Sequence, residues 1–122
     1  MELKIIEQCF SVCKIEDLSQ VDYSNQFCFI GKTDEELSLV CRTDLVPGNA
    51  TICDHGWRAF RIQGILDFSL IGILSKISTL LADHEIGIFA ISTYNTDYIL
   101  IKEENFNRAI TLLECNNYLI AK

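Results

Sequence analysis

The stretch IFAISTYNTDYILIKEE, residues 88–104, decides the fold because it holds two apolar runs on either side of a short polar segment. The runs lie within residues 86–93 and 98–102 and are rich in Ile, Phe and Tyr, which strands favour. Between them, every side chain of STYNTD (residues 92–97) carries a polar group, which is typical of a sharp break. The sequence therefore predicts two strands joined by a tight connection.

Helical and strand patterns flank this hairpin on both sides. After it, Glu104 or Asn105 caps a second helix, and a final short strand, YLIA, follows that helix. The apolar face of the second helix consists of Phe106, Ala109, Ile110 and Leu113. Before the hairpin, WRAFRIQGIL (57–66) alternates as a strand does, and a first helix runs from about Leu70 to Asp83. The predicted order of elements is β-α-β-β-α-β.

That order describes a ferredoxin-like sandwich, an α+β fold in which two helices cover one face of an antiparallel sheet. The first half of the chain is less regular. LKIIEQCFSVCK (3–14) is strand-like, IEDLSQVD (15–22) forms at most two helical turns, and FCFI (27–30) is apolar on both faces, as in a strand that is covered on both sides. A polar turn then leads to ELSLVCR, which completes a hairpin.

These patterns predict tandem ferredoxin-like units, of which the first is degenerate, with its helices shortened or lost. The stretch TDLVPGNATICDHG (43–56) collects Pro, Gly, Asn and Asp and is the best candidate linker. The predicted domains are residues 1–56 and 57–122.

Composition argues against several classes of function. The 122 residues are 49% hydrophobic, enough for a folded core, and the net charge is −7. Sequence-independent binding of nucleic acid or of anionic membranes does not fit an acidic chain, since both need clustered Lys and Arg. The N-terminus MELKIIEQCF lacks the features of a signal peptide, so we expect a cytoplasmic protein, and no cofactor is implied. The six cysteines are then free thiols that act as small buried hydrophobes, with Cys28 facing Cys41 across the first hairpin.

The first helix has an unusual start. Ser69 is a good N-cap, yet Gly72 follows in the first turn, and glycine is unfavourable in a helix relative to alanine. Two explanations remain open. Glycine either permits close packing of the helix on the sheet, or it leaves the backbone bare for a ligand. The second explanation rests on the unpaired N–H groups and partial positive charge of a helix N-terminus, which together bind carboxylate or phosphate.

LDFSLIGIL (66–74), followed by IFAISTYNTDYILIKEE, closely resembles the ACT-domain family. The most similar branch also supplies the ligand-binding halves of the CASTOR-type arginine sensors. FSVCKI (10–15) and FCFIGKTDEELSLVC (27–41) resemble the first-half pattern of small bacterial two-ACT proteins of that branch, so the resemblance covers nearly the whole chain. One departure is Ile71, where many relatives have Thr.

The resemblance implies a regulatory module that binds a ligand, usually an amino acid, assembles by pairing of ACT units and acts on a partner protein. The implied site combines the start of the first helix with the STYNTD break. Its candidate ligand-binding residues are Ser69, Leu70, Ile71, Gly72, Thr93, Tyr94, Asn95, Thr96 and Asp97.

Asp97 complements the helix end, because its carboxylate can pair with an ammonium or guanidinium group while the helix N-terminus takes a carboxylate. The resemblance supports this role, since the aligned Asp contributes to the pocket of the arginine sensors. The alternative is a turn residue that bonds its own backbone. Tyr94 either stacks on the ligand or fills the core. The two motifs occur once per chain and need not meet within one unit, so we expect a homodimer with the ligand at its interface.

Other candidate sites are weaker. Cys53-Asp54-His55 places a thiol, an acid and an imidazole together, but adjacent residues rarely point at one target, so we expect neither catalysis nor a metal site. His84, near the end of the first helix, is expected to face solvent. The leading function is an amino-acid sensor, and the alternative is a structural module that dimerises and binds nothing. An enzyme is disfavoured because ionisable residues are scarce around the motifs.

Overall fold

The computed structural model describes residues 1–63 and 72–122. Within them the regular elements are β1 (Glu2–Ile15), β2 (Cys28–Lys32), β3 (Leu37–Arg42), a 3-10 turn (Thr43–Leu45), β4 (Ala50–Ile62), α1 (Ile73–Asp83), β5 (Phe89–Ser92), β6 (Asp97–Lys102), α2 (Glu103–Cys115) and β7 (Leu119–Ala121). The chain divides into two compact units, a C-terminal unit (Met1–Glu7 with Arg58–Lys122) and an N-terminal unit (Gln8–Trp57). Neither α1 nor α2, the α-helices of the described ranges, has the length and apolar character needed to cross a membrane.

The C-terminal unit has the predicted order β-α-β-β-α-β, formed by β4, α1, β5, β6, α2 and β7. Its strands lie side by side as β5-β6-β4-β1-β7. β5 and β6 are antiparallel, whereas β7 is parallel to β1, with pairs from Glu2↔Leu119 to Lys4↔Ala121. The predicted α+β fold with an antiparallel sheet and two helices is therefore confirmed. The start of β1 adds a strand to the predicted unit, because it lies in the sheet between β4 and β7, the first and last strands of that unit.

The core of the C-terminal unit lies between its sheet and its helices. Alternation along β4 places Phe60 and Ile62, both fully buried, on the face that the helices cover. The α1 residues Ile77 and Leu81 are also fully buried there. From α2, the buried residues are Phe106, Ala109 and Leu113, with Ile110 packed against them, which confirms the predicted helix face.

The N-terminal unit has the strand order β2-β3-β1-β4. The predicted β2–β3 hairpin is confirmed, and Cys28 and Cys41 are register partners in it, as expected. Three other predictions for this half are wrong. β2 is an edge strand rather than a covered one, and Ile30 is 38% exposed.

The other two corrections concern local hydrogen bonding. After Ile15, the segment predicted to form helical turns makes other turns instead, because Asp17 Oδ1 accepts the Ser19 N–H at 2.9 Å and competes with helical bonding. The predicted linker 43–56 instead holds the 3-10 turn and the start of β4. That strand begins early because backbone pairing with β1 forms it, as in the bond from Glu16 N–H to the Asn49 carbonyl at 3.3 Å.

The hairpins of the two units close in the same way. The Thr33 N–H donates to the carbonyl three residues later at 2.9 Å, and the Thr93 N–H does the same at 2.8 Å. The residues that end the two hairpins also have nearly equal backbone angles. Arg42, before the 3-10 turn, has φ −56° and ψ 140°, and Lys102, before α2, has φ −57° and ψ 142°. This correspondence supports the prediction of a degenerate first unit, while the predicted domain division stays a prediction.

The start of α1 differs from the prediction. The helix begins at Ile73 with Gly72 as its N-cap, whereas the predicted N-cap, Ser69, lies outside the described residues. Gly72 has a φ of 88°, a left-handed conformation that glycine adopts without strain. Within residues 1–63 and 72–122, no atom lies within 4 Å of the position that a Cβ of Gly72 would occupy. The positive φ is therefore one reason for glycine at this position.

We expect Gly72→Ala to lower the free energy of unfolding by about 1–2 kcal/mol, the cost of a left-handed conformation for an L side chain. Urea denaturation followed by circular dichroism measures this change. Gly87→Ala is the matched control, because a Cβ at Gly87 also meets no atom within 4 Å and Gly87 has no positive φ. The control should stay within about 0.5 kcal/mol of wild type. Equal stabilities of the two variants would contradict the assigned backbone at Gly72.

The N-terminal unit contains a cluster of thiols, with Cys13 and Cys41 buried and Cys28 and Cys53 packed against them. Burial, reinforced by the neighbouring thiols, raises the pKa of Cys13 to about 12 and that of Cys41 to about 11. Both are therefore protonated at neutral pH and poor nucleophiles. Contrary to the prediction of buried hydrophobes, Cys9 and Cys115 are exposed. The reduced state of all six stays a prediction.

These raised pKa values make stability depend on alkaline pH. A thiol in the unfolded chain has a pKa of about 8.5, so as pH rises the unfolded chain loses these protons before the folded protein does. The contribution of these thiols to the free energy of unfolding is therefore complete below about pH 8.5 and declines above it. We expect the free energy of unfolding, measured in urea with reductant, to fall between about pH 8.5 and 10.5. The fall should be smaller in Cys13→Ala, and identical pH slopes for the two proteins would contradict the assignment.

Candidate functional site

The polar segment STYNTD forms the tip of the β5–β6 hairpin. Ser92 and Asp97 are register partners, and Ser92 Oγ donates to Asp97 Oδ1 at 2.5 Å. Thr93 closes the tip, because its N–H and its Oγ1 both donate to the Thr96 carbonyl, at 2.8 and 3.0 Å. Asp97 is thus the first residue of β6, where its carboxylate accepts a cross-strand hydroxyl rather than capping a turn.

Thr96 attaches the hairpin tip to β4. Its side chain is buried, with 7% exposure, and its Oγ1 donates to the Ile62 carbonyl at 2.6 Å. A buried hydroxyl with a short bond to a neighbouring strand fixes the position of the tip. The role of Thr96 that the geometry supports is therefore to position the hairpin.

The other tip residues face solvent. Tyr94 is 82% exposed, so the alternative in which it fills the core is wrong. Thr93 and Asn95 are also exposed, and Asp97 is half-buried. The tip therefore presents an aromatic ring, an amide and a carboxylate, which is the set needed to contact a small polar molecule or a second protein surface.

The N-terminus of α1 at Gly72 has no capping side chain among the described residues. Gly72 is exposed and provides the carbonyl for the first helical bond, from Lys76 N–H at 2.9 Å. The N–H groups of the first turn have no intrahelical partner, and no acidic side chain lies in that turn. By contrast, the first turn of α2 carries Glu103 and Glu104, which complement the helix dipole. Within the first turn of α1, therefore, no acidic side chain offsets the partial positive charge of the helix end.

The structure places the predicted site residues on two elements. The five residues 93–97 lie together in the β5–β6 hairpin, and Gly72 lies at the N-terminus of α1. Ser69, Leu70 and Ile71 lie outside the described residues.

Two arginines of β4 were not among the predicted residues. Arg61 Nη1 donates to the hydroxyl of Tyr98, the neighbour of Asp97, at 3.3 Å. Arg58 lies on the helix-covered face instead, with its guanidinium 4.7 Å from the Phe106 ring centroid. The sequence WRAFRIQ contains a signal for Arg58, because it alternates along the strand with Phe60 and Ile62, the large buried residues of β4.

The remaining histidine and cysteine candidates have structural partners. His55 Nδ1 lies 2.6 Å from the Oγ of buried Ser11, which also bonds Thr43. His84 is exposed at the end of α1, as predicted, with its Nδ1 3.0 Å from the Leu80 carbonyl. Across residues 1–63 and 72–122, no group of three or more His, Cys, Asp or Glu side chains could hold a metal ion. The Cys53-Asp54-His55 segment therefore gains no metal site from its surroundings in the described ranges.

Comparison with known proteins identifies a family that the sequence matches. A family model described as an ACT domain matches residues 52–115, just over half of the chain. A crystal structure of a protein from Agobacterium tumefaciens is 28% identical, covers 98% of this chain and 90% of its own, and has a TM-score of 0.86. A Vibrio cholerae protein, described as of unknown function and a possible transport protein, is 18% identical, with coverages of 92% and 86% and a TM-score of 0.71.

The ligand-free regulatory subunit of aspartate kinase from Thermus thermophilus shares the fold at 10% identity, with coverages of 94% and 96% and a TM-score of 0.65. No curated protein matches the sequence. The match to the family model, together with the β-α-β-β-α-β order of the C-terminal unit, establishes that the chain belongs to the ACT-domain family.

Proposed function

We propose that this chain is an ACT-type regulatory module that binds a small amino acid and signals occupancy to a partner protein. Membership of the ACT family supports a regulatory rather than a catalytic role, and the fold is shared with a regulatory subunit of aspartate kinase. The observation that carries the proposal is the N-terminus of α1 at Gly72, which has no capping side chain among the described residues and no acidic residue in its first turn. The likeness to arginine sensors and to two-ACT proteins remains a prediction.

The proposed ligand contributes a carboxylate to the unpaired N–H groups that follow Gly72, where the helix dipole is positive. Its ammonium or guanidinium group pairs with the Asp97 carboxylate, which the Ser92 hydroxyl holds in place. Tyr94 and Asn95 contact the body of the ligand from the exposed tip. Ser69, Leu70 and Ile71, which precede Gly72, and the exposed Thr93 complete the proposed pocket.

The alternative is a ligand-free dimerisation module. Tyr94, 82% exposed at the hairpin tip, favours it, because an exposed aromatic ring is typical of a surface that another chain covers. Ligand binding and dimerisation are compatible if the pocket lies at the interface. The distinction between the two functions is therefore whether an amino acid binds at all.

A thermal-shift screen of the common amino acids should raise the melting temperature with at least one of them, since a ligand at a hundredfold excess over its Kd adds about 2.7 kcal/mol of stability. Asp97→Asn should abolish that shift. It should leave the ligand-free melting temperature nearly unchanged, because asparagine keeps an oxygen that accepts the Ser92 hydroxyl. A direct substitution of Gly72 is a poorer test, because it also strains the backbone.

Asp34→Asn is the matched control, because Asp34 is an exposed carboxylate in the corresponding connection of the β2–β3 hairpin. This variant should keep the full ligand-induced shift. An Asp97→Asn protein that also keeps it would rule out the proposed pocket. The absence of a shift with any amino acid would favour the dimerisation module.

The proposed homodimer is tested by sedimentation velocity over a dilution series, with and without the amino acid found in the screen. Gly72 and Asp97 lie on different elements, so two chains related by a two-fold axis can pair each helix end with the partner's hairpin tip. We expect a dimer that the ligand tightens by the same factor by which dimerisation tightens ligand binding. A monomer that binds one ligand per chain at every concentration would contradict an interface site.

A further inference from the structure

We propose that the C-terminal unit carries a second ligand site, a pocket around Arg58 that takes a small carboxylate with a branched aliphatic chain. The pocket has a volume of about 370 Å³ and lies between α2 and the strands β1, β4 and β7. Arg58, Glu7, Phe106, Ile110, Glu114 and Ile120 are among its lining residues. None of them belongs to the proposed Gly72–Asp97 site, so the two proposals stand independently.

Arg58 occupies a position where an apolar residue is expected. Arg58 alternates along β4 with Phe60 and Ile62, so it lies on the same face of the strand. Phe60 and Ile62 are fully buried on that face, which the helices cover. Its guanidinium stacks on the Phe106 ring at 4.7 Å, and its side chain is only 22% exposed. A charged group so deeply placed is costly to desolvate and is normally compensated by ion pairs and hydrogen bonds.

The compensation that Arg58 receives from the described residues is weak. Its ion pair there is with Glu7, at 3.5 Å between Nη2 and Oε2, well beyond the 2.7–2.9 Å of a charge-assisted hydrogen bond. The side chain of Glu7 is 63% exposed, so water solvates its carboxylate and weakens its attraction to Arg58. A guanidinium has five N–H donors in a fork that matches a carboxylate, and a ligand carboxylate would satisfy two of them together.

The rest of the pocket selects the body of the ligand. Ile110 and Ile120, which are partly exposed, present aliphatic surface beside the buried Phe106 ring, and this surface suits a short branched chain. The charged side chains that line the pocket besides Arg58 are Glu7, Glu114 and Lys122, which carry two negative charges and one positive charge. The ligand carboxylate replaces Glu7 as the partner of Arg58, while the glutamates remain able to accept an amine where the ligand has one.

The proposal is tested with 4-methylpentanoate, which has the carboxylate and the branched chain but lacks the amine that the Asp97 site requires. Titration of isotope-labelled protein should give saturable NMR shifts at the Arg58 side-chain N–H and at the backbone of Asn107, Ile110 and Ile120, all beside the pocket. Residues 92–97 should not shift. Because this map uses the wild-type protein, it does not depend on whether any variant folds.

Arg58→Met keeps most of the stem that packs on Phe106 and removes the charge, and it should weaken binding of 4-methylpentanoate by roughly tenfold or more, the usual worth of a hydrogen bond to a charged group. Arg58→Lys should also weaken it, because lysine lacks the fork. Arg61→Met is the matched control on the same strand, since Arg61 lies on the opposite face and bonds Tyr98. Its affinity should equal that of wild type.

Three outcomes would overturn the second site: no saturable shifts with 4-methylpentanoate, shifts that map elsewhere, or equal weakening by the Arg58 and Arg61 substitutions. Leucine serves to separate the two proposals. If Asp97→Asn abolishes the leucine-induced NMR shifts of residues 92–97, while leucine and 4-methylpentanoate still shift the residues around Arg58, both sites stand. If 4-methylpentanoate binds through Arg58 and no amino acid depends on Asp97, the second site stands and the first fails.

Discussion

The hydrogen bond from Thr96 Oγ1 to the Ile62 carbonyl is the contact on which the proposed site depends. It is buried and short, and it joins the tip of the β5–β6 hairpin to the end of β4. A buried hydroxyl that has lost its hydrogen-bond partner destabilises the fold. Movement of the tip away from β4 would break the bond to Ile62 and leave the Thr96 hydroxyl unpaired. Everything exposed on the tip, including the Tyr94 ring, is therefore presented from a fixed base.

The same contact explains the environment of Asp97. Because the tip is held, β6 begins at Asp97 and its register opposite Ser92 is set. In this register the Ser92 hydroxyl donates a short hydrogen bond to the Asp97 carboxylate. A half-buried carboxylate with one oxygen oriented by a neighbour keeps its other lone pairs for an incoming cation. Rigid support from hairpin residues is thus what the proposed recognition of an ammonium group requires.

The sequence predicted those elements whose side chains repeat with a clear period. The β-α-β-β-α-β order and the α2 face follow from apolar spacing, and the hairpin follows from its polar break. The start of β4 has no such pattern, because no side chain of ATICDHG is fully buried, and this segment lies beside β1 as its hydrogen-bonded neighbour in the sheet. The left-handed angle of Gly72 is also invisible to periodicity, and so is the Arg58–Glu7 pair, whose members lie on distant parts of the chain.

No α-helix follows β3 in the first half of the chain, and the cause is local. After Arg42, the chain reads TDLVPG, and Pro47 and Gly48 stop helical propagation after one 3-10 turn. After Lys102, at the equivalent point, EENFNRAITLLEC contains neither proline nor glycine and buries three residues along one face. The same backbone angles before both segments therefore lead to different elements. The two halves differ in the segment after the hairpin rather than in the way the hairpin closes.

Charge provides the last constraint on what the protein can bind. With a net charge of −7, the chain repels anions at long range, so a carboxylate must be attracted by groups that act at close range. The start of α1 and the guanidinium of Arg58 are such groups, because a helix dipole acts within one turn and a stacked, largely buried cation is screened little by salt. In both proposed sites a carboxylate of the protein lies near, Asp97 in one and Glu7 in the other. Local attraction at short distance, set against general repulsion, favours small ligands that enter a pocket over large polyanions that approach a surface.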